Sequence, residues 1–314
     1  MWQGVAPHAC DDDPVLRVLV LLVTLAGCGR IAFEPAGRAG VDGGTDGGTT
    51  SCVFGPWTAP RHQVATSSSS IEFSPALSAD GLTLYFESDR PGSNGYDVWF
   101  ATRPTGTDDF GPALFAGVIN TVVDDRGPTL TSDGLTMYLY HQPAPAGGQL
   151  HRATRATITD LFGLAALVPE LASVDVEGPA ISPRGDELFF TQGTNLVHAT
   201  FDGSMFQNVT AIDELNTGSS QGYPSVSGDG LELYFESARL DGTDDIWVAR
   251  RPAIGAAFTS VARVDEVSVA GNNDADPEIS RDGLTLVFAS DRPGGLLTVV
   301  GPSPDLYLST RACL

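Results

Sequence analysis

The sequence predicts an all-β protein, a five-bladed β-propeller built from four-stranded antiparallel blades. Three observations predict this fold. A proline-led apolar segment recurs five times, an Asp-Gly turn follows four of these segments, and an aromatic residue opens another apolar stretch once in each period. No segment shows sustained helical periodicity. Repeats of about fifty residues that each supply four short strands are typical of propellers.

The first two strands of each repeat surround a tight turn. The leading prolines are separated by 53, 51, 45 and 53 residues, and they are Pro75, Pro128, Pro179, Pro224 and Pro277. Asp80-Gly81 follows the first of these segments, and Asp-Gly suits a hairpin because glycine adopts positive φ freely and aspartate tolerates it. The second strand is then strongly apolar, as in LTLYF from Leu82, which is expected where sheets pack face to face.

The third and fourth strands complete each repeat and indicate how the ring closes. The third strand starts at Asp97, Gln149, Asn195, Asp245 and Asp305. The fourth starts at an aromatic residue, and these are Trp57, Phe110, Phe162, Phe206 and Phe258, separated by 53, 52, 44 and 52 residues. Trp57 precedes the first proline-led strand. We therefore expect the N-terminal strand to join the last blade, which closes the ring and leaves no open sheet edge.

Two cysteines flank the repeats. Cys52 precedes the first strand and Cys313 follows the last. A closed ring would place them on adjacent strands of one blade, where a disulfide would fasten the closure. The alternative is a pair of free thiols.

The N-terminal region carries a targeting signal. Residues 18–26 read VLVLLVTLA, an apolar run too short to span a bilayer. The run ends in Leu25-Ala26-Gly27-Cys28, which resembles the lipobox of bacterial lipoproteins, and the resemblance implies that Cys28 carries lipid. An ordinary signal peptide with an unrelated cysteine is the alternative. Gly29 takes the place of the aspartate that holds enteric lipoproteins at the inner membrane, so the resemblance implies the outer membrane.

These features divide the chain into three parts. Residues 1–27 are predicted to be a lipoprotein signal peptide, residues 28–55 a flexible Gly/Thr-rich linker, and residues 56–314 the propeller. The chain has 39 acidic and 17 basic residues and a formal charge of −22, which disfavours nucleic acid as a partner. We expect a monomer that touches the membrane only through its lipid. No EF-hand pattern or metal-spaced His/Cys cluster is present, so we predict no cofactor and no metal.

Acidic residues concentrate in two sets of loops. The loop before each first strand and the loop after each second strand should emerge on one face of the ring. A possible ligand-binding face would then contain Glu72, Asp124, Asp125, Asp175, Glu177, Asp241, Asp244, Asp245, Asp274 and Asp276. Converging carboxylates could bind a cation or an amine. A solvated acidic rim is the simpler interpretation.

Two repeats carry a further motif. Ser88-Asp89-Arg90-Pro91-Gly92 and its counterpart from Ser290 follow the second strand, and an Asp-led third strand comes next. This pattern resembles the WD-like propeller repeats of TolB over about residues 57–311. Because such repeats serve as binding platforms, the resemblance implies a cell-envelope binding or scaffolding module for a protein, peptide or glycan, and not an enzyme.

The alternative function is a glycoside hydrolase or a related carbohydrate-active enzyme. Some five-bladed propellers carry acid and base carboxylates at one end of the axis. The candidates here are Asp124, Asp125, Asp175, Glu177 and Asp276. Catalytic propellers usually contain long insertions in their blades, and the regular repeats argue against this alternative.

Overall fold

The proline-led repeats fold into five antiparallel sheets of four strands each. This is seen in a computed structural model that describes residues 52–143, 147–298 and 301–314. The first strand of every blade packs against the first strand of the next blade, and that of blade 5 packs against that of blade 1. The ring is therefore closed, and the predicted five-bladed propeller is confirmed.

Every blade consists of four strands. Blade 1 contains β2 (Glu72–Leu77), β3 (Thr83–Ser88), β4 (Asp97–Thr102) and β5 (Leu114–Phe115). Blade 2 contains β6 (Asp124–Leu130), β7 (Thr136–Gln142), β8 (Gln149–Thr154) and β9 (Ala166–Leu167). Blade 3 contains β10 (Glu177–Ile181), β11 (Glu187–Gln192), β12 (Asn195–Phe201) and β13 (Phe206–Ala211). Blade 4 contains β14 (Gln221–Val226), β15 (Glu232–Ser237), β16 (Asp245–Arg250) and β17 (Ser260–Arg263). Blade 5 contains β18 (Asp274–Ile279), β19 (Thr285–Ser290), β22 (Asp305–Thr310) and β1 (Arg61–His62).

Three short elements lie outside this pattern. A two-stranded hairpin, β20 (Leu297–Thr298) with β21 (Gly301–Pro302), lies between β19 and β22 and was not expected from the repeats. Two 3-10 helices cover Gly117–Ile119 and Pro169–Leu171. In the part of the chain that the structure describes, no helix has the length and apolar character needed to cross a membrane.

The N-terminal strand completes the last blade, as predicted. Strand β1 pairs with β22, with Arg61 opposite Leu308 and His62 opposite Tyr307. A disulfide joins Cys52 to Cys313, whose Cα atoms are 5.3 Å apart. The predicted cystine therefore fastens the two ends of the propeller. The predicted signal peptide, the lipidation site Cys28 and the linker up to residue 51 lie outside the described residues.

The apolar second strands form the core between blades. In β3 the side chains of Leu84 and Phe86 are fully buried, and they pack with Val287 and Leu306 of blade 5. Complete burial of a leucine or phenylalanine side chain stabilises the fold by about 1.5–3 kcal/mol. The closing interface is thus held by apolar contacts as well as by the disulfide.

In four blades, an arginine after the third strand packs against the recurring aromatic residue. Arg103, just after β4, donates from Nε to the carbonyl of Gly81 at 2.7 Å and lies 4.5 Å above the Phe110 ring. Arg155, Arg251 and Arg311 repeat this arrangement in blades 2, 4 and 5. The aromatic residue therefore anchors the approach to the fourth strand, which begins a few residues later in every blade except the third.

Candidate functional site at the propeller axis

The inner strands share an unusual backbone conformation beside the axis. In all five, the residue before the proline has positive φ, between 45° and 56°, and these residues are Ser74, Gly127, Gly178, Tyr223 and Asp276. The strand register shifts at the same point in every blade. A residue before proline normally adopts extended geometry, and positive φ is strained for residues other than glycine. Such strain tends to collect at functional sites.

Side chains from the neighbouring blade bind the amides of these residues. Glu87 Oε2 accepts the Gly127 amide at 2.9 Å, and Glu236 Oε2 accepts the Asp276 amide at 3.0 Å. Both glutamates belong to second strands and hold equivalent positions in blades 1 and 4. Between blades 5 and 1, Asp276 Oδ2 accepts the Ser74 amide at 3.0 Å. These bonds bring three carboxyl groups to the axis.

A cavity of about 310 Å³ lies at the axis on the open face, which we define as the end of the ring with the loops before each first strand and after each second strand. Three acidic residues line the cavity: Glu236, Asp244 and Asp276. Its other walls are Phe73, Arg126, Tyr223, Asn273, Ala275, Ala289 and Pro304. The space is large enough for the end of a saccharide or peptide chain.

The basic residue of this cavity is already paired. Arg126 donates to Glu87 Oε1 from Nε at 2.9 Å and from Nη2 at 2.6 Å. Its guanidinium also lies 4.3 Å above the Tyr96 ring. Burial opposes the charge on Arg126, but the neighbouring Glu87 carboxylate raises the pKa of the guanidinium above its ordinary value. Arg126 is therefore engaged by Glu87, and its positive charge also acts to lower the pKa of Asp276.

Glu236 and Asp276 form a coupled acid pair. Burial raises the pKa of Asp276 to about 7, and the Glu87 charge adds to this effect. Burial also raises the pKa of Glu236 well above its ordinary value, and the charges of Asp276 and Asp244 raise it further. The two carboxyl groups are close enough to influence each other's pKa. Two close, buried carboxyl groups cannot both ionise easily, so the pair retains a proton at neutral pH.

Tyr223 borders the acid pair, and Tyr140 lies beside Tyr223. The hydroxyl groups of Tyr140 and Tyr223 are 3.3 Å apart, and burial raises the pKa of both phenols, which are neutral at physiological pH. Glycine is required beneath them. A Cβ atom on Gly127 would lie 2.8 Å from Tyr140 Cε1, and one on Gly178 would lie 2.6 Å from Tyr223 Cδ1.

The opposite end of the axis is narrow. The ring of prolines leaves a channel of about 30 Å³, with room for about two water molecules. Arg281 of blade 5 reaches across the ring and donates from Nη2 to the carbonyl of Leu130 in blade 2 at 2.8 Å. Glu278 accepts the Leu77 amide at 3.0 Å and the Ser225 hydroxyl at 2.7 Å. A ligand would therefore enter from the open face.

Most of the acidic residues predicted for the ligand-binding face are used within the fold. Three are fully buried ion-pair partners: Glu72 with Arg90 at 2.8 Å, Asp245 with Arg263 at 2.8 Å and Asp274 with Arg292 at 2.5 Å. Arg90 and Arg292 belong to the Ser-Asp-Arg motifs, which therefore hold neighbouring segments together. Four more bond to nearby groups: Asp124 to the Tyr96 amide, Asp125 to the Thr121 amide, Asp175 to the Gly148 amide and Glu177 to the Gln142 side chain.

The remaining three predicted residues are divided between the rim and the cavity. Asp241 is exposed and accepts bonds from Thr243. Asp244 and Asp276 line the axial cavity. Asp276 is thus the one glycosidase candidate from the sequence that lies in this cavity.

Sequence reasoning missed Glu87, Glu236, Arg126 and Tyr223. One signal was present for the glutamates, because each interrupts an apolar second strand in the string YFES. A charged residue inside a buried strand needs a partner, and that partner lies in the next blade.

A second cluster resembles a hydrolytic triad in composition only. His62 Nε2 lies 3.0 Å from Ser67 Oγ and 3.2 Å from Asp305 Oδ2. A relay needs the serine and the carboxylate on different ring nitrogens, so this arrangement is not a triad. Among residues 52–143, 147–298 and 301–314, no group of three or more His, Cys, Asp or Glu side chains is arranged to hold a metal ion.

Comparisons with known proteins bear on the fold. No family model and no curated protein matches the sequence. The α-L-arabinofuranosidase PaAbf62A from Podospora anserina, solved with cellotriose, is 11% identical over 82% of this chain and 96% of its own, with a TM-score of 0.58. The catalytic domain of a Coprinopsis cinerea GH62 α-L-arabinofuranosidase is 12% identical over 82% and 98% of the two chains, with a TM-score of 0.57.

TolB is also among the similar solved structures. TolB from Acinetobacter baumannii is 16% identical over 79% of this chain and 56% of its own, with a TM-score of 0.48. At such low identity, likeness to solved structures shows a shared fold alone. The comparisons therefore support a propeller fold for this chain.

Proposed function

We propose that the protein is a lipid-anchored cell-envelope binding module, and that its axial cavity takes the end group of a glycan or peptide. The observation that carries this proposal is the cavity of about 310 Å³ on the open face, lined by Glu236, Asp244 and Asp276. Strained backbone and carboxyl groups with raised pKa values meet there, and both features concentrate at functional sites. The cellotriose bound in the Podospora anserina arabinofuranosidase structure favours a glycan among the possible ligands.

Two features support the proposed location. The lipobox-like segment ending at Cys28 favours a lipid anchor, and Gly29 favours the outer membrane. The Cys52–Cys313 disulfide suits an oxidising compartment such as the periplasm or the cell surface.

The test is to capture ligands with the purified propeller. Glycan and peptide fragments released from the envelope are mixed with the protein, and bound species are measured by native mass spectrometry. Asp244→Arg places a bulky side chain in the cavity, and we expect it to abolish binding. Asp241→Arg makes the same charge change at an exposed site three residues earlier and should leave binding intact. Equal binding by both variants would place the ligand elsewhere and contradict the proposal.

Hydrolysis is a second candidate function, and one observation favours it. Glu236 has a raised pKa beside a second carboxyl group and can serve as a general acid at neutral pH. Turnover of 4-nitrophenyl α-L-arabinofuranoside, lost in Glu236→Gln, would favour an enzyme. Ligand binding without turnover would favour the module.

A further inference from the structure

At two interfaces between blades, the arginine after the third strand pairs with an acid of the preceding blade. Arg251 of blade 4 donates to both oxygens of Glu187 in blade 3, from Nη1 at 2.8 Å and from Nη2 at 2.5 Å. Arg311 of blade 5 donates from Nη2 to Glu232 in blade 4 at 3.3 Å. Both glutamates are the first residue of a second strand. An acid at this position therefore serves as the counter-charge of the arginine in the next blade.

The interface between blades 5 and 1 lacks this acid. The second strand of blade 5 begins at Thr285, and the arginine that follows in blade 1 is Arg103. Arg103 is 5% exposed and forms no ion pair with any residue that the structure describes. Its Nε donates to the Gly81 carbonyl at 2.7 Å and its Nη1 to the Asp108 carbonyl at 3.4 Å, whereas Nη2 makes no hydrogen bond to a described residue. A buried cation without a carboxylate partner is costly.

A cavity of about 410 Å³ occupies this interface, and both Thr285 and Arg103 line it. The Asp-Gly turns between first and second strands form part of its wall, so it lies at the end of the ring opposite to the open face. Three more arginines line the cavity, of which Arg61 and Arg311 form ion pairs and Arg281 donates to a carbonyl across the ring. The Arg61 side chain is 51% exposed, so solvent reaches this wall. The volume is in the range of small-molecule sites.

The charged groups around Arg103 do not replace the missing acid. Burial lowers the pKa of Arg103, and the positive charge of Arg61 lowers it further. Three carboxylates offset these effects only in part: Asp108, Asp109 and Asp282. Asp80 and Asp282 line the cavity, but Oδ1 of each already accepts two hydrogen bonds within its own Asp-Gly turn. Because an arginine stays charged in proteins, Arg103 can still bind an anion.

We propose that the cavity between blades 5 and 1 binds the carboxylate group of an acidic ligand, and that Arg103 recognises this group. The ligand carboxylate takes the place that Glu187 has in the interface between blades 3 and 4, and it accepts a hydrogen bond from Arg103 Nη2. Arg61 adds positive charge at the exposed edge of the site, in a chain whose formal charge is −22. This site is separate from the axial cavity, and the inference does not depend on the function proposed for that cavity.

A carboxylate suits this arginine better than other anions, because the fold already provides the matching example. A guanidinium presents a planar fork of donors that fits the two oxygens of a carboxylate, and Arg251 holds Glu187 in this way. Two kinds of envelope molecule carry such a group: a glycan that contains a uronic acid, and a peptide with a free C-terminus. The shared chemistry is the carboxylate, and the test separates the two sources.

The experiment compares two acids with their neutral counterparts. D-Galacturonate is paired with D-galactose, and N-acetylalanine with N-acetylalaninamide; inorganic phosphate is a fifth probe. Binding to the purified protein is followed by ligand-observed NMR. We expect at least one acid to bind more tightly than its neutral counterpart by about tenfold or more, because only the acid can pair with a buried guanidinium. The acid that shows this preference identifies the source.

A substitution that restores the missing acid should close the site. Thr285→Glu supplies the residue type that blades 3 and 4 have at this position, and we expect it to pair with the arginine and to abolish binding of the acid. Thr285 lies opposite Thr310, as Glu187 lies opposite Thr200, so the glutamate has the same cross-strand neighbour in both blades. The melting temperature of the variant should not fall. Thr83→Glu makes the same change at the equivalent position of blade 1 and should leave binding intact.

Several results would overturn the inference. They are no preference for either acid over its neutral counterpart, acid binding that Thr285→Glu leaves unchanged or that Thr83→Glu removes equally, and tighter binding of phosphate than of both acids. The probe pairs use the unaltered protein, so they decide the matter even if Thr285→Glu fails to fold. Asp244→Arg, which obstructs the axial cavity, should leave acid binding intact. Failure of one site is therefore distinguishable from failure of the other.

Discussion

Replacing Asp276 by asparagine should stabilise the propeller, although it removes a hydrogen-bonded carboxylate. Asparagine has nearly the same shape, tolerates the φ of 50° at this position and can accept the Ser74 amide through Oδ1. It cannot ionise. The variant therefore isolates the free-energy cost of burying the Asp276 charge.

The size and sign of the effect follow from the pKa of Asp276. Burial raises it from 3.8 to about 7, so the folded protein binds this proton more tightly than the unfolded chain does. The wild type is then destabilised as pH rises from about 4 to about 7, whereas the asparagine variant does not sense this titration. The difference of about 3 pH units corresponds to at most about 4 kcal/mol in the free energy of unfolding at pH 8. At pH 4 the two proteins should differ little.

Urea unfolding at pH 4.5, 6 and 8 measures this difference. Other titrating groups are common to both proteins and cancel when the variant is compared with the wild type at each pH. We expect the free energy of unfolding of Asp276→Asn to exceed that of the wild type by an amount that increases with pH across the series. Asp241→Asn, on the exposed rim, serves as the matched control. Its difference in the free energy of unfolding from the wild type should not increase with pH. If the wild type and Asp276→Asn lose or gain stability in parallel with pH, Asp276 is not a buried acid of raised pKa.

Three further predictions follow from the fold. Replacing Cys52 and Cys313 by alanine should lower the melting temperature. The disulfide spans 261 residues, so it stabilises the fold by up to about 5 kcal/mol through the lower chain entropy of the unfolded state. An unchanged melting temperature would refute this. Gly178→Ala should destabilise the protein by at least about 2 kcal/mol in urea unfolding, since φ is 50° and Tyr223 fills the space, whereas Gly218→Ala, in open space, should cost far less. Cys28→Ala should abolish labelling by radioactive palmitate, and equal labelling of both proteins would end the lipoprotein hypothesis.

The ring and its closure could be predicted because they follow from spacing along the chain. Trp57 lies 53 residues before its next counterpart, which is close to the later separations of 52, 44 and 52, and it precedes the first proline. Only an N-terminal strand in the last blade accounts for that order, and β1 pairs with β22 as expected. The same order brings Cys52 to Cys313.

The cavity could not be predicted, because its residues meet across blades. Glu236 lies 40 residues before Asp276, whose amide it accepts, and the bond depends on the left-handed backbone of Asp276. The residue types do not predict this left-handed conformation, because a residue before proline favours the extended region. The loop acids looked alike in the sequence. In the structure, Glu72 pairs with Arg90 and Asp274 pairs with Arg292, which distinguishes these two loop acids from the axial acid pair. Both ion pairs depend on the register of the folded strands.

The five blades provide an internal control for the role of Glu236. Pairing between first and second strands places Glu87, Tyr140, Thr191, Glu236 and Ala289 at equivalent positions. The fold therefore accepts a neutral residue there in three blades, so packing does not require an acid. Glu87 is balanced by Arg126, whereas blade 5 places Ala275 at the position of Arg126, and Glu236 faces Asp276 instead. A buried acid pair that the architecture does not need, beside the wide cavity on the axis, supports the proposal that this cavity is a ligand-binding site.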